Sequence, residues 1–366
     1  MIEGYDLPDT LEVRARLDEA QADSLARMGL DAHTVAVWED GWRTARDVES
    51  TFEWWYFDMQ LDDGSTLVAT FNTKPSTHPS GPLQPSVLLI YHGPDGSKIR
   101  VSQPCEESGF RAATEACDVR IGPNTVAGDL DTYVLHIDVA GVVADLTIKR
   151  GAPSWRPGAG VSWFDSAHKH YLAWVVPVPY GSVAGTITDA SGTREVSGSA
   201  YHDHNWGNRL MSDYLDHWYW GRAHIEDFTV VYVRMTTKGI FGFGSINFPT
   251  FYLAKGERLL TDDILPLRLE TGEEVPGPGD QTYPSELTWK WQTDAGSVQM
   301  RVTKPKLIEA LDMAEDAGAL RRTLIHALGG HPMYYDFNAD MELSVDLGGV
   351  KRIVKGRTLF EKMMFR

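Results

Sequence analysis

From Phe52 onward the chain is a succession of short β-rich runs broken by turn-forming residues, and this punctuation limits the possible folds more than any other feature. Residues 52–60 are followed by Asp62-Asp63-Gly64, 66–73 by a proline-rich loop reaching Pro85, and 86–92 by Gly93-Pro94-Asp95-Gly96 and then 97–103. Further runs cover 117–121, 133–139, 143–149 and 170–178, and 182–188 pairs with 194–202 as a hairpin. After Asn208 the pattern restarts over 217–224, 228–237, 241–246, 249–254, 257–260, 286–293, 297–304, 333–346 and 349–363. Such runs, repeating every 8–12 residues or so between Gly, Pro, Asp and Ser clusters, predict antiparallel barrels or sandwiches. A chain of 366 residues is long for one domain and fits two. The pattern therefore predicts a mainly β protein with a helical segment over 1–50, one barrel or sandwich over 51–212 and a second over 213–366. Leu11, Leu17, Ala20, Leu25 and Met28, with Gly29 as a cap, predict one or two helices within 11–47. Leu311, Ala314, Leu320, Leu324 and Leu328 predict one helix over 307–328 in the second barrel.

Charge and composition narrow the partners. With 34 basic and 51 acidic residues the net charge is −17, which repels phosphate backbones and anionic lipids. Nucleic acid and membrane surfaces are thus disfavoured, and no apolar stretch is long enough to span a bilayer. The N-terminal MIEGYDLPDT lacks the basic and apolar regions of a signal peptide, so a cytoplasmic protein is expected, as monomer or homodimer. The two cysteines, Cys105 and Cys117, are expected as thiols; a disulfide between them is possible but nothing requires it. Aromatic residues make up 11% of the chain, enough to serve a core and to line a pocket for a large apolar ligand.

Four segments carry candidate chemistry. In Glu53-Trp54-Trp55-Tyr56-Phe57, strand alternation puts Glu53, Trp55 and Phe57 on one face and Trp54 and Tyr56 on the other. Neither face is polar, so both need cover from core, partner lobe or ligand. Glu53 beside two indoles must be paired, exposed or protonated, and a protonated carboxyl could act as a general acid. In Tyr201-His202-Asp203-His204-Asn205-Trp206-Gly207, His202, His204 and Trp206 point one way and Tyr201, Asp203 and Asn205 the other. Such a run is either a structural polar network or a proton-handling site. His-x-His on a strand also suits a metal, but Gly207, Asn208 and Arg209 stand where a third ligand is expected, so no metal is expected. In the third segment, Trp218, Trp220, Arg222 and His224 share a face, and Phe228, Val230, Tyr232 and Arg234 share one on the return strand; this is a barrel wall or the wall of an apolar cavity. The fourth is Asn72, which lies near Glu53 if its strand pairs across the Asp62-Asp63-Gly64 turn; a Glu–Asn pair could hold a carbonyl or an acid proton. No GxGxxG, GxxxxGK[ST] or GxSxG motif is present, so no cofactor is expected.

Together, Glu53-Trp54-Trp55-Tyr56-Phe57, Gly181-Ser182-Val183-Ala184-Gly185, Gly198 to Gly207 and Trp218-Tyr219-Trp220-Gly221 resemble the hydroxyneurosporene synthase (carotenoid 1,2-hydratase) superfamily, with kievitone hydratase-like proteins and fungal decalin-forming Diels–Alderases among its members. The resemblance runs from about residue 50 to the C-terminus. It implies two lipocalin-like antiparallel β-barrels side by side and cofactor-free chemistry on a C=C bond of a large apolar substrate, an isoprenoid or a polyene. His204 and Trp206 match the hydratases' His-x-Trp pair. Tyr232 matches the tyrosine of their Tyr-x-Asp pair, but Arg234 stands in place of the acid. In a hydratase or cyclase, His204 with Asp203 would handle protons, with Glu53 as a substitute acid, and Trp206, Trp218 and Trp220 would flank the cation. In a [4+2] cyclase, Glu53, Asn72 and Lys355 would hold a substrate carbonyl. Trp55, His202 and Arg222 complete the expected substrate-binding set. The remaining alternative is a non-catalytic carrier of apolar ligands.

Overall fold

A computed structural model of the chain describes residues 4–165, 167–239, 244–313 and 332–365. They form two curled antiparallel sheets of lipocalin-like type. The chain divides into two compact units, Glu19–Leu210 and Met1–Asp18 with Met211–Arg366.

The unit Glu19–Leu210 holds a twelve-stranded sheet. Its order runs from Lys98–Pro104 through Ser86–His92, Thr66–Asn72, Phe52–Leu61, Gly192–Gly207, Tyr171–Asp189, Val142–Arg150, Thr132–Val139, Asn124–Gly128 and Cys117–Ile121 to Phe110–Ala112, and Val161–Trp163 pairs with Tyr171–Asp189. The Asp62-Asp63-Gly64 turn forms as expected: Gly64 takes φ 86°, a conformation glycine adopts without strain, and the Asp63 carboxylate accepts the Ser65 N–H at 2.9 Å. Alternate residues of every long strand face one core that includes Trp55, Phe57, Phe71, Tyr91, Val119 and Ile137. The sheet must curl to achieve this: the Phe57 ring meets Tyr133, four strands away, at 6.0 Å between centroids.

In the unit containing Met211–Arg366 a nine-stranded sheet runs from Arg258–Thr261 through Asn247–Lys255, Phe228–Thr237, Leu215–Ile225, Val350–Met364, Met333–Leu347, Gly296–Asp312 and Glu286–Thr293 to Leu267–Thr271. Its core includes Tyr219, Tyr232, Trp289, Tyr335, Phe337 and Phe360. The first residues of the chain join this unit, where Asn247 Nδ2 donates to Gly4 O at 2.8 Å.

The helical expectations are partly corrected. One α-helix, α1, spans Leu11–Met28 and ends at Gly29, whose φ of 70° and the Leu30 N–H to Leu25 O bond at 2.9 Å close it. Beyond it, residues 37–40 and 48–50 form only single 3₁₀ turns. The helix expected over 307–328 is a strand in its first part: Gly296–Asp312 pairs with Met333–Leu347, Leu307 opposite Phe337 and Ala310 opposite Tyr335. Backbone pairing along that ladder holds residues 307–312 as strand. Residues 314–331 lie outside the described residues.

Candidate functional site

The Gly192–Gly207 strand lies against Phe52–Leu61 with Trp206 opposite Glu53, His204 opposite Trp55, Asp203 opposite Tyr56 and His202 opposite Phe57. Pleating therefore sends two different sets of residues to the two faces of this pair.

The interior face carries Glu53, Trp55, Phe57, His202, His204 and Trp206. Glu53, His202 and His204 are each 0% exposed. A carboxylate so deep needs donors, and Glu53 has three: the Arg43 and Thr44 N–H groups at 2.7 and 2.8 Å and His204 Nε2 at 2.7 Å. A fourth titratable side chain enters from the 3₁₀ turn Val37–Asp40. Asp40 Oδ2 accepts the Tyr133 hydroxyl at 2.6 Å and lies 3.0 Å from His202 Nε2, while its Oδ1 lies 3.3 Å from His204 Nδ1. The turn is fixed by a buried ion pair next to it, Arg156 Nη1 to both Glu39 carboxylate oxygens at 2.9 Å. Phe57 stacks on His202 at 4.0 Å and Trp55 on His204 at 4.6 Å, which sets both ring planes. Trp206 flanks His204 at 4.9 Å.

Burial alone would raise the pKa of Asp40, but the facing imidazoles hold its carboxyl well below the usual carboxylate range. Burial would likewise lower that of His204, but the Asp40 and Glu53 carboxylates outweigh it and raise it. The result is a network of two carboxyl groups and two imidazoles with each member fully buried.

The other face carries Tyr201, Asp203 and Asn205. Asp203 accepts three hydrogen bonds: Oδ2 from the Tyr201 hydroxyl at 2.8 Å and from Trp174 Nε1 at 3.0 Å, and Oδ1 from Asn205 Nδ2 at 2.8 Å. Burial nevertheless pushes its pKa up to about 6, with the Tyr201 and Trp174 bonds opposing the rise. Half-buried Trp54, Tyr56 and Trp174 surround this carboxyl on the same face. A carboxyl bordered by aromatic rings and fixed by neutral donors is suited to deliver a proton to an apolar molecule, or to orient a polar group of one.

The register corrects two expected pairings. Asp203 and His204 lie on opposite faces, so they do not act on one group together. Asn72 is paired directly with Trp54 and shares its face; its amide donates to Thr70 O at 3.1 Å, and no Glu53–Asn72 pair forms. Thr73 stands beside Glu53 instead, its hydroxyl 3.0 Å from Glu53 N.

In the other unit, Tyr232 belongs to the sheet's core, its hydroxyl 2.9 Å from Thr358 Oγ1. Gly221 opposite it must lack a side chain, because a Cβ there would sit 2.3 Å from the Tyr232 ring. Tyr219 and Ala223 also face that core, so Trp218, Trp220 and Arg222 occupy the reverse face of their strand, half-buried, and do not line the barrel interior. Arg234 is half-buried and reaches Leu269 O at 3.5 Å. Lys355 is exposed and ion-paired with Glu342 at 2.7 Å, away from any cluster of buried polar groups. Sequence reasoning missed Asp40, Tyr133 and Trp174, none of which lies in a motif.

No protein-family model matches the chain. It is similar to the hydroxyneurosporene dehydrogenase of Chlorobaculum tepidum, 32% identical over 225 residues, covering 53% of this chain and 59% of that protein. It is also similar to the quinolone epoxide rearrangement protein asqO of Emericella nidulans, 24% identical over 213 residues, covering 50% and 53%. The chain thus spans little more than half the length of these curated relatives. Among solved structures, CghA with Sch210972 superposes with a TM-score of 0.60 at 13% identity, covering 86% of this chain and 89% of that one. Kievitone hydratase from Nectria haematococca gives 0.57 at 14% identity, covering 91% and 94%. A putative AttH from Nitrosomonas europaea gives 0.58 at 17%, covering 86% and 93%. These likenesses define the fold as that of a two-sheet, lipocalin-like β protein.

Proposed function

We propose that this chain is a cofactor-independent enzyme acting on a C=C bond of a large apolar isoprenoid or polyene, by acid-catalysed hydration or cyclisation, with Asp203 as the acid. The observation that carries this reading is the placement of Asp203. It lies on the aromatic face of the sheet, with Tyr201, Trp174 and Asn205 fixing both carboxyl oxygens. The names of the relatives, a hydratase and a rearrangement protein among them, favour the same class of chemistry.

In the hydration branch the Asp203 proton adds to the less substituted alkene carbon, the π pair becoming the new C–H bond and leaving a tertiary cation. The faces of Trp54, Tyr56 and Trp174 stabilise that charge. Water donates a lone pair to the cation and loses a proton to the Asp203 carboxylate, restoring the acid. In the cyclisation branch a second alkene supplies the electron pair, and loss of a neighbouring proton to Asp203 ends the reaction. The interior network takes no part in either branch.

The test is incubation of the purified chain with acyclic prenyl alkenes and linear polyenes in heavy-oxygen water, followed by mass spectrometry. A product carrying one labelled oxygen supports hydration, and an unlabelled cyclic isomer supports cyclisation. Either product must vanish in Asp203→Asn. Saturable binding with no product from any substrate would make the chain a carrier and overturn the proposal.

A further inference from the structure

On the interior face three donor groups converge from three separate segments, with His204 beside them. A carboxylate oxygen of Asp40, His202 Nε2 and Cys117 Sγ all lie within 4.8 Å of one another, and His204 Nδ1 stands 3.3 Å from Asp40 Oδ1. Each imidazole has its far nitrogen committed as a donor. His202 Nδ1 must carry a proton to bond the Tyr56 carbonyl at 2.9 Å, and His204 Nε2 must carry one to bond Glu53 at 2.7 Å. In the neutral ring the near nitrogen then bears a lone pair, and that lone pair faces Asp40, which can only accept. Asp40 Oδ1 and His204 Nδ1, both buried and 3.3 Å apart, have no hydrogen bond of good geometry. Lone pairs directed at one another in a sealed interior require a positive charge between them: two extra protons, or one ion.

We propose that Asp40, Cys117 and His202, with His204 beside Asp40, form a buried structural site for one divalent ion of zinc-like preference. Imidazole, thiolate and carboxylate in this proportion select zinc and its neighbours over magnesium or calcium, which take oxygen donors. A thiolate and a carboxylate together neutralise the ion itself, and Glu53 keeps its own three hydrogen-bond donors. The carboxylate or carbonyl behind each histidine, Glu53 and Tyr56 O, is the arrangement that orients metal-ligating imidazoles. Tyr133 braces Asp40 in the same manner, with its hydroxyl at 2.6 Å. The donors are all buried, so the ion would fasten the 3₁₀ turn Val37–Asp40 to the sheet and would not meet substrate.

The inference is independent of the proposed reaction and is tested without it. The full chain, produced in zinc-supplemented medium and dialysed against metal-free buffer, is expected to retain about one zinc per chain by elemental mass spectrometry, as a closed structural site does. Cobalt in its place is expected to give the near-ultraviolet thiolate-to-metal band and intense visible bands of a tetrahedral centre, with the thiolate band lost in Cys117→Ser. Cys117→Ser removes the sulfur but keeps a group of similar size, so folding can be checked by circular dichroism. A folded wild-type chain that holds no stoichiometric metal and shows no thiolate band with cobalt would overturn the proposal and leave protons as the positive charge. Full metal retention with an unchanged spectrum in Cys117→Ser would remove the thiolate from the site and overturn it as stated.

Discussion

The two faces of the Gly192–Gly207 strand differ in how they satisfy their polar groups. On the interior face titratable groups meet one another: two carboxyl groups and two imidazoles, all buried, under stacked Phe57 and Trp55. On the opposite face the Asp203 carboxyl is met only by neutral donors, and aromatic rings border it. The first arrangement fixes architecture, because its groups are wholly buried and no substrate can enter. The second leaves a carboxyl whose proton is not claimed by a base. One sequence motif thus serves two purposes, and side-chain alternation alone separates them.

The largest effect is expected where the interior charge balance is broken. Glu53→Ala strands two N–H groups and an imidazole, and should cost about 3–5 kcal/mol of unfolding free energy in denaturant titration. A loss below about 1 kcal/mol would mean that the interior network does not bear on stability. Arg156→Ala leaves Glu39 buried and unpaired beside the turn that carries Asp40, and should cost about 2–4 kcal/mol by the same measurement. Hydrogen exchange should also rise in residues 31–44 of that variant; unchanged exchange there would contradict the clamp.

On the opposite face the changes should be milder for stability and sharper for turnover. Trp174→Phe removes one of three donors to Asp203, and is expected to slow product formation about tenfold while costing roughly 1–2 kcal/mol. Equal turnover at equal substrate concentration would show that Trp174 does not position the acid. Lys355→Ala should change neither quantity by more than about 0.5 kcal/mol, since its ion pair with Glu342 is on the surface. A large loss of turnover in that variant would restore Lys355 to the site.

Strand punctuation located nearly every long strand, because Gly, Pro and Asp turns and β-branched runs act locally. Alternation also split Glu53, Trp55 and Phe57 from Trp54 and Tyr56, and His202 and His204 from Asp203. What was not legible depends on register and on distant segments. Asn72 falls on the face opposite Glu53 because the ladder pairs it with Trp54, a matter of one residue. Asp40 comes from a stretch that looks helical, and Tyr133 and Cys117 from strands with no polar motif; only the curl of the sheet brings them to His202. The segment 307–312 carries helical spacing but is held as strand by pairing with residues far along the chain.

The central claim is that chemistry belongs to one face of the strand and architecture to the other. Its most direct test compares Asp203→Asn with Glu53→Gln in the heavy-oxygen assay, with folded fraction measured in the same samples. The account predicts that Asp203→Asn stays folded and makes no product. It predicts that Glu53→Gln is destabilised but turns over at the wild-type rate per folded molecule. Sustained turnover in Asp203→Asn, or its loss in a fully folded Glu53→Gln, would contradict it.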